Sequence, residues 1–487
     1  MSSLMYSTAK LLIGTAQFLI QDVPHAFNNA LDSYQVVART PRWTGQEKAK
    51  HVIFINLDAI SPEQFEEIRA SSPMINEAVS SGAISSRMLG TFPAQTSTMH
   101  ASTLTGEYPE RHGIYTVFEQ SLDDILFVDQ CSVTSNAAVN NRVDCKSKKL
   151  TDAAFRRGLT TGSFGFCTTH QDPHISYNIG DMTCTRDAGI AGGIFKKMST
   201  VFALKHMIPA MIRQTLLAPS TYTSPEMIVR LLDDGYVSAA EDVILNHRAH
   251  FVCVQQVGYD LASHCFGTRS PQAGSTLVRY TEHLERLIRA SRMAGTYEDT
   301  VFSLMSDHLI FDIDRYVYLN NLFWRNGLIS VAGRKVISCS AYGESVGKSF
   351  LIHIADKKRS TKSRVMELLQ QNQDAFGIER ILDWSELDSL HAGTQYDLAC
   401  TAVPGVMFVH NLNLSGDIKR DRKIYFKAQH GQDPRGNLTT FAIWGPGIKR
   451  GYESGDMNGV DIAPTLVHVL GLDFHCSGGK VLDVFEE

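Results

Sequence analysis

The chain has no apolar run long enough to span a bilayer, no CxxC pair, no long basic run and no internal repeat. Each absence excludes a class. A membrane-spanning helix needs about 20 mostly apolar residues, whereas the N-terminal stretch from Leu11 to Ile20 is short, is interrupted by Gln17 and lacks a small-x-small cleavage site behind it. The expectation is therefore a soluble, cytoplasmic protein without a transmembrane span, a secreted or periplasmic one being the alternative. The nine cysteines are an odd number, scattered without metal-ribbon spacing, and are expected to be reduced thiols. A net charge of −5 without a long basic run does not point to a nucleic-acid duplex as partner. A small anionic ligand would have to be held by the site itself.

What is present suits a large globular domain: 487 residues, 43% hydrophobic and 20% charged, enough to bury an extensive core. Helix and strand signals alternate. His51–Leu57 is a buried-strand run ending at Asp58, and residues 153–157 and 158–165 form a helix-then-strand unit. The unit returns as Ala239–His247 before Phe251–Val257, and as Leu277–Met293 before Val301–Met305. Such repetition predicts an α/β fold, a mainly parallel central sheet sandwiched by helices. Three segments depart from it. Residues 1–48 are an N-terminal extension. Residues 189–219, apolar with interspersed basic residues, suit a core helix, a helical lid or a membrane-surface helix. Residues 331–396, with strands near 348–355 and 378–382 and a helix over 361–371, form a small α/β cap inserted between the two parts of the catalytic core, 49–330 and 397–487.

Ligands of parallel sheets collect beyond the carboxyl ends of the strands, and carboxylates and imidazoles cluster there: Asp58, Asp260 with His264, Asp307 with His308, and the late His430. Asp260 and His264 are four residues apart and can face one way on a helix. Carboxylate and imidazole without cysteine fit two divalent ions in mixed nitrogen and oxygen ligation, zinc first and manganese second. Between them, Pro93 closes an extended stretch and Thr96–Leu104 reads as a helix opening on hydroxyls. A hydroxyl at a helix start faces unpaired N–H groups and the positive dipole end, a setting that suits a phosphoryl group. Capping alone is the commoner role for an isolated Thr or Ser there.

These motifs resemble the alkaline phosphatase superfamily and, within it, the nucleotide pyrophosphatase/phosphodiesterase branch. The resemblance spans residues 49–330 and 397–487. Its most specific part runs from Thr96 through Thr105-Gly106, Pro109 and His112-Gly113-Ile114, with Asp461–Gly471 closing the chain. It implies that Thr96 is the nucleophile, through a phosphothreonine intermediate, rather than Thr91, with the N–H of Ser97 as a further donor. It also implies one metal on Asp260, His264 and His430 and another on Asp58, Asp307 and His308, with Thr96 on the second. The implied function is a two-metal hydrolase of phosphodiesters, nucleotide-type or related, acting on a small phosphate ester.

Three departures stand out. Val117 occupies the place of an Asn that assists the phosphate in many diesterases of the family, Leu309 follows the Asp-His pair where Gly is usual, and Ser263 replaces a common Gly. A phosphomonoesterase and a phosphonoacetate-like phosphonate hydrolase use the same ligands and are the alternatives. A non-catalytic metal- or phosphate-binding protein would be expected to have lost a ligand. Thr116, His170 and His174 are further candidates for touching substrate, a solvated loop being the alternative for the two histidines. The oligomeric state is not legible.

Overall fold

The runs rich in Val, Ile and Phe become strands of one nine-stranded sheet. In a computed structural model, residues 40–116, 145–169, 172–181, 225–333, 335–393, 395–413, 416–420 and 426–487 are described, with short pieces at 118–119, 137–138 and 206. Most of the N-terminal extension, Val117, His170 and the 189–219 segment apart from His206 lie outside the described residues.

The sheet comprises β1 (His51–Leu57), β2 (Ala83–Leu89), β3 (Thr161–Phe164), β4 (Tyr177–Ile179), β5 (Phe251–Gln256), β6 (Thr300–Met305), β7 (Thr439–Trp444) and β8 (Tyr452–Glu453), in the order β8-β2-β7-β6-β1-β5-β3-β4, with Met457–Asn458 also paired to β2. β1 lies at the centre, parallel to β5 and β6, with Val52 opposite both Phe251 and Val301. β3 and β4 extend the parallel part. The exception is β7, antiparallel to β2 and β6. The sheet is thus mixed and mainly parallel.

Alternate residues of β1 feed two cores, as the strand period of two requires. Ile53, Ile55 and Leu57 pack with α1 (Pro62–Ser71), α2 (Pro73–Ser80), α5 (Pro225–His247), α6 (Gly258–Phe266) and α7 (Pro271–Met293). Val52 and Phe54 pack on the other face with α3 (Thr96–Thr105), α4 (Leu150–Arg156) and α8 (Ile462–Val469). Helix α7 begins earlier than its apolar stripe suggests because Ser270 caps it, accepting from the Ala273 N–H at 3.1 Å, and Pro271 starts its first turn.

A second sheet is antiparallel throughout: Ala341–Ser345, Ser349–Ile354, Leu398–Ala402 and Ile378–Leu382, in that spatial order, with helices Arg359–Gln371 and Trp384–Ser389. Its third strand in that order lies past residue 396, so the sheet itself reaches residue 402. Its own core runs from Val317 to Leu412. No helix among the described residues is long and apolar enough to cross a membrane.

Candidate active site

The carboxyl ends of β1, β5 and β6 share one edge of the sheet, and the residues that follow them converge there. After β1, Asp58 is followed by Ala59 in the left-handed region at φ 61°, and the Ala59 N–H donates to Asp307 Oδ1 at 3.2 Å. After β6, Ser306 Oγ donates to Ile60 O at 2.7 Å, which ties the two strand-end turns together. His308 Nε2 then lies 3.5 Å from Asp58 Oδ1 and 3.8 Å from Asp307 Oδ2. Neither oxygen has a hydrogen-bond partner. All three side chains are buried.

β5 runs directly into α6, which carries Asp260 and His264 on one face. His264 Nδ1–H donates to Ala428 O at 2.8 Å, which directs Nε2 toward Asp260 Oδ2, 3.1 Å away. His430, from the loop after Ala428–Gln429, brings Nε2 to 3.9 Å from Asp260 Oδ1, an oxygen without a hydrogen-bond partner. The His308 and His430 rings lie 4.1 Å apart between centroids, so the two clusters adjoin.

The electrostatics describe a site that lacks positive charge. Burial, then the neighbouring Asp307 and Asp260, push the Asp58 carboxyl well above its usual range. Burial also works against ionised Asp260, but the His264, His430 and His308 imidazoles outweigh it and hold that carboxyl low. His264 is desolvated, yet Asp260 raises it. Burial and the adjacent His308 depress His430. Three carboxylates and three imidazoles form two compact groups, with ligand atoms in each within 4.8 Å of one another. Orphaned, desolvated carboxylate oxygens are costly unless a cation meets them. The donor set is nitrogen and oxygen alone, so these residues fit two divalent ions.

Thr96 opens α3 beside the first cluster, its Oγ1 3.0 Å from His308 Nε2. No side chain caps the helix. Gln95, at the cap position, instead sends its Nε2–H to Val346 O at 3.2 Å, so the first-turn N–H groups receive no side-chain cap from it. Ser97 itself is buried, with no hydrogen-bond partner for Oγ. Further along, His112 of the His-Gly-Ile motif braces this helix. Its Nδ1 accepts from the Ile114 N–H and its Nε2 meets Ser102 Oγ at 2.9 Å.

The structure thus brings together all six expected ligands and Thr96. Thr91 is buried in the preceding loop, where its N–H meets Met99 Sδ. Thr116 is buried at the end of the Gly113–Thr116 loop. His174 belongs elsewhere. After β3 the chain doubles back along the strand, so His174 O accepts from Thr161 Oγ1 at 3.2 Å at the opposite end of the sheet. Its ring pairs there with Asp152 at 2.5 Å and packs on Phe155, near the buried Lys149–Asp172 ion pair at 3.6 Å.

Some supporting residues escape a motif-based reading. Gln255 Nε2–H donates to Asp58 Oδ2 at 2.6 Å. Asn56 and His100 stand behind Gln255, and burial lowers His100 to about 4, which keeps its ring neutral. Asp233 accepts from the Val257 N–H at 2.8 Å just before α6, and burial pushes its carboxyl up to about 7. The available signal was polarity inside apolar strands: Asn56 in β1 and two glutamines in β5.

The sequence profile of the type I phosphodiesterase/nucleotide pyrophosphatase family matches residues 52–433. No curated protein matches in sequence. Among solved structures, murine ectonucleotide pyrophosphatase/phosphodiesterase 5 is similar in fold, with TM-score 0.60, 14% identity, and coverage of 90% of this chain and all of that one. An inactive Thr-to-Ala variant of the murine protein in complex with AMP gives TM-score 0.58 at 13% identity, covering 88% of this chain and 97% of that one. The human counterpart gives 0.57 at 14% identity, again over 90% of this chain and all of that one. The fold, with its mainly parallel sheet and added small sheets, is that of these proteins. The chain belongs to the type I phosphodiesterase/nucleotide pyrophosphatase family, within the alkaline phosphatase superfamily.

Proposed function

We propose that the chain hydrolyses phosphodiesters, nucleotide-type or related, by transferring the phosphoryl group first to Thr96 and then to water. The observation that carries this reading is Thr96 Oγ1 at an uncapped helix start, 3.0 Å from His308 Nε2, where the orphaned oxygens of Asp58 and Asp307 converge. Asp58, Asp307 and His308 would hold one divalent ion, and Asp260, His264 and His430 the other. When bound, two zinc ions, with manganese as the second choice, acidify a hydroxyl and polarise phosphoryl oxygens. Three carboxylates against two such ions leave one net positive charge for an anionic ester.

The chain's own groups do the rest. Thr96 Oγ1, once deprotonated, attacks phosphorus in line with the leaving oxygen. The ester P–O bond breaks as the Thr96 O–P bond forms. The N–H groups of Ser97 and Thr98, with the α3 dipole behind them, hold a non-bridging oxygen as its charge grows. Water then attacks the phosphothreonine, and Thr96 leaves with its proton restored.

The second substituent of a diester needs its own surface, and the small sheet supplies one candidate. Its Ser345–Ser349 hairpin reaches the site: the Lys348 N–H donates to His430 O at 2.9 Å, and Val346 O accepts from Gln95. The test is kcat/KM on bis(p-nitrophenyl) phosphate, p-nitrophenyl phosphate and phosphonoacetate, with and without added zinc. A diester-to-monoester ratio well above one is expected. A ratio below one reassigns the chain as a monoesterase, and preferred cleavage of the carbon–phosphorus bond reassigns it as a phosphonate hydrolase. No metal-dependent turnover of any of them would leave a binding protein.

A further inference from the structure

A row of buried neutral groups runs from the turn after β3 to Asp58. The Cys167 backbone N–H donates to His100 Nδ1 at 3.1 Å. A backbone amide can only donate, so Nδ1 is the acceptor and the ring proton sits on Nε2. Nε2–H therefore needs an acceptor, and of the two groups 3.1 Å from it, Asn56 Nδ2 and Gln255 Oε1, only the oxygen can accept. That oxygen also accepts from Asn56 Nδ2 at 2.6 Å. With its oxygen so engaged, the Gln255 amide must present Nε2–H on its other side, where it donates to Asp58 Oδ2 at 2.6 Å. Each orientation follows from the one before, and the first is set by the main chain.

The consequence falls on a single atom. Asp58 has two oxygens; Gln255 engages Oδ2, while Oδ1 has no partner and faces His308 Nε2 at 3.5 Å. We propose that Gln255, held in one orientation by His100 and Asn56, is a positioning residue that reserves Asp58 Oδ1 as the metal-binding atom and holds the carboxylate to one-oxygen ligation. Groups behind a ligand fix its direction and its affinity for metal. A second ring provides a control, because Phe166 stacks on His100 at 4.0 Å between centroids without joining the row.

The inference rests on the two-metal reading above, so its test separates the two. Protein stripped with a chelator is titrated with Co²⁺, following binding by calorimetry and the visible absorption of each bound ion. Wild type should take up two ions, and Asp58→Asn should lose one; two full-affinity ions in Asp58→Asn would overturn the metal reading itself. Gln255→Leu and His100→Phe should each weaken one ion roughly 10- to 100-fold and alter its absorption band, while the other ion binds as in wild type. Phe166→Leu, which disturbs the packing but not the hydrogen bonds, should leave both ions and both bands unchanged. Wild-type affinity and spectrum in Gln255→Leu would overturn the proposal. So would equal weakening of both ions in Gln255→Leu and His100→Phe, or the same single-ion loss in Phe166→Leu, because either would mark a packing role.

Discussion

The two ligand clusters touch through the His308 and His430 rings, yet they are held in different ways. Asp58, Asp307 and His308 stand directly on the ends of adjacent parallel strands and are almost wholly enclosed, at 3%, 0% and 1% exposure. Behind them lie neutral amides and a neutral imidazole. Asp260, His264 and His430 come from a helix and a loop and are a little more open, at 6%, 9% and 7%. Behind their helix lies a buried carboxylate, Asp233, and against their loop lies a hairpin of the second sheet. The inner cluster is therefore built on the central sheet, braced by one group from α3, His100. The outer one depends on parts packed around that sheet, where substrate-dependent variation can enter without disturbing the proposed nucleophile, Thr96.

The sharpest break of this comparison is at the inner cluster. Thr96 Oγ1 adjoins His308, whereas Thr91, five positions earlier, does not meet either cluster through any described hydrogen bond. Thr96→Ala should lower kcat by about 10³-fold or more, with the thermal midpoint little changed, because the lost hydroxyl contributes little to packing. Thr91→Ala should cost less than about tenfold. Steady-state rates and thermal melts of the two variants check this. Equal losses would mean that neither hydroxyl is the nucleophile.

The carboxylate behind the outer cluster gives a prediction of opposite sign, a gain of stability. Burial lifts Asp233 from an ordinary 3.8 to about 7. The folded chain thus keeps a proton that the unfolded chain releases, and stability falls as pH rises from the lower value through the higher. Asp233→Asn retains an oxygen to accept from the Val257 N–H but cannot ionise. The variant should be more stable than wild type by about 2–4 kcal/mol at pH 8, the gap closing toward pH 4. Urea unfolding of the chelated proteins at both pH values measures it. A gap independent of pH would mean that the carboxyl is not the destabilising group.

Much of this arrangement is legible in the residues because parallel strands put function at a predictable place. Asp58, Asp260 and Asp307 all follow apolar runs, and the strand rule sends such residues to one edge. His174 shows where that rule stops. It follows β3 in sequence, but the chain turns back, and the Thr161 hydroxyl holds its carbonyl at the far edge. The Asp172-Pro173 pair in the Cys167–His174 segment signals a turn, but not the direction in which the chain leaves it. The antiparallel β7 and the amides behind Asp58 were also not legible, since both depend on which strands become neighbours. Polar residues inside apolar runs were the available trace: Asn56 and Gln255 are buried side by side, with Gln256 buried on the opposite face against His283, and a buried amide needs partners.

The smallest of these effects concerns the outer cluster's reliance on the second sheet. Gly431 follows His430 in the left-handed region at φ 91°, and a Cβ there would fall 1.7 Å from Val346 O in the hairpin. Its N–H also donates to Ala94 O at 2.9 Å, in the loop before Thr96. Alanine is strained at that backbone angle and cannot fit without moving the loop or the hairpin, at a cost on the order of 1–3 kcal/mol. The displacement is carried first by His430, because it is the adjacent residue, and reaches His308 less directly, through ring contact and through the Gln432 side chain, whose Nε2–H donates to Leu309 O at 3.1 Å. Gly431→Ala should weaken one of two zinc ions about tenfold and lower kcat modestly, with the other ion held as in wild type. Zinc titration of the stripped variant measures the asymmetry. If both ions weaken together, the clusters form one mechanical unit, and the division between a sheet-built inner site and an outer site tuned from the second sheet fails.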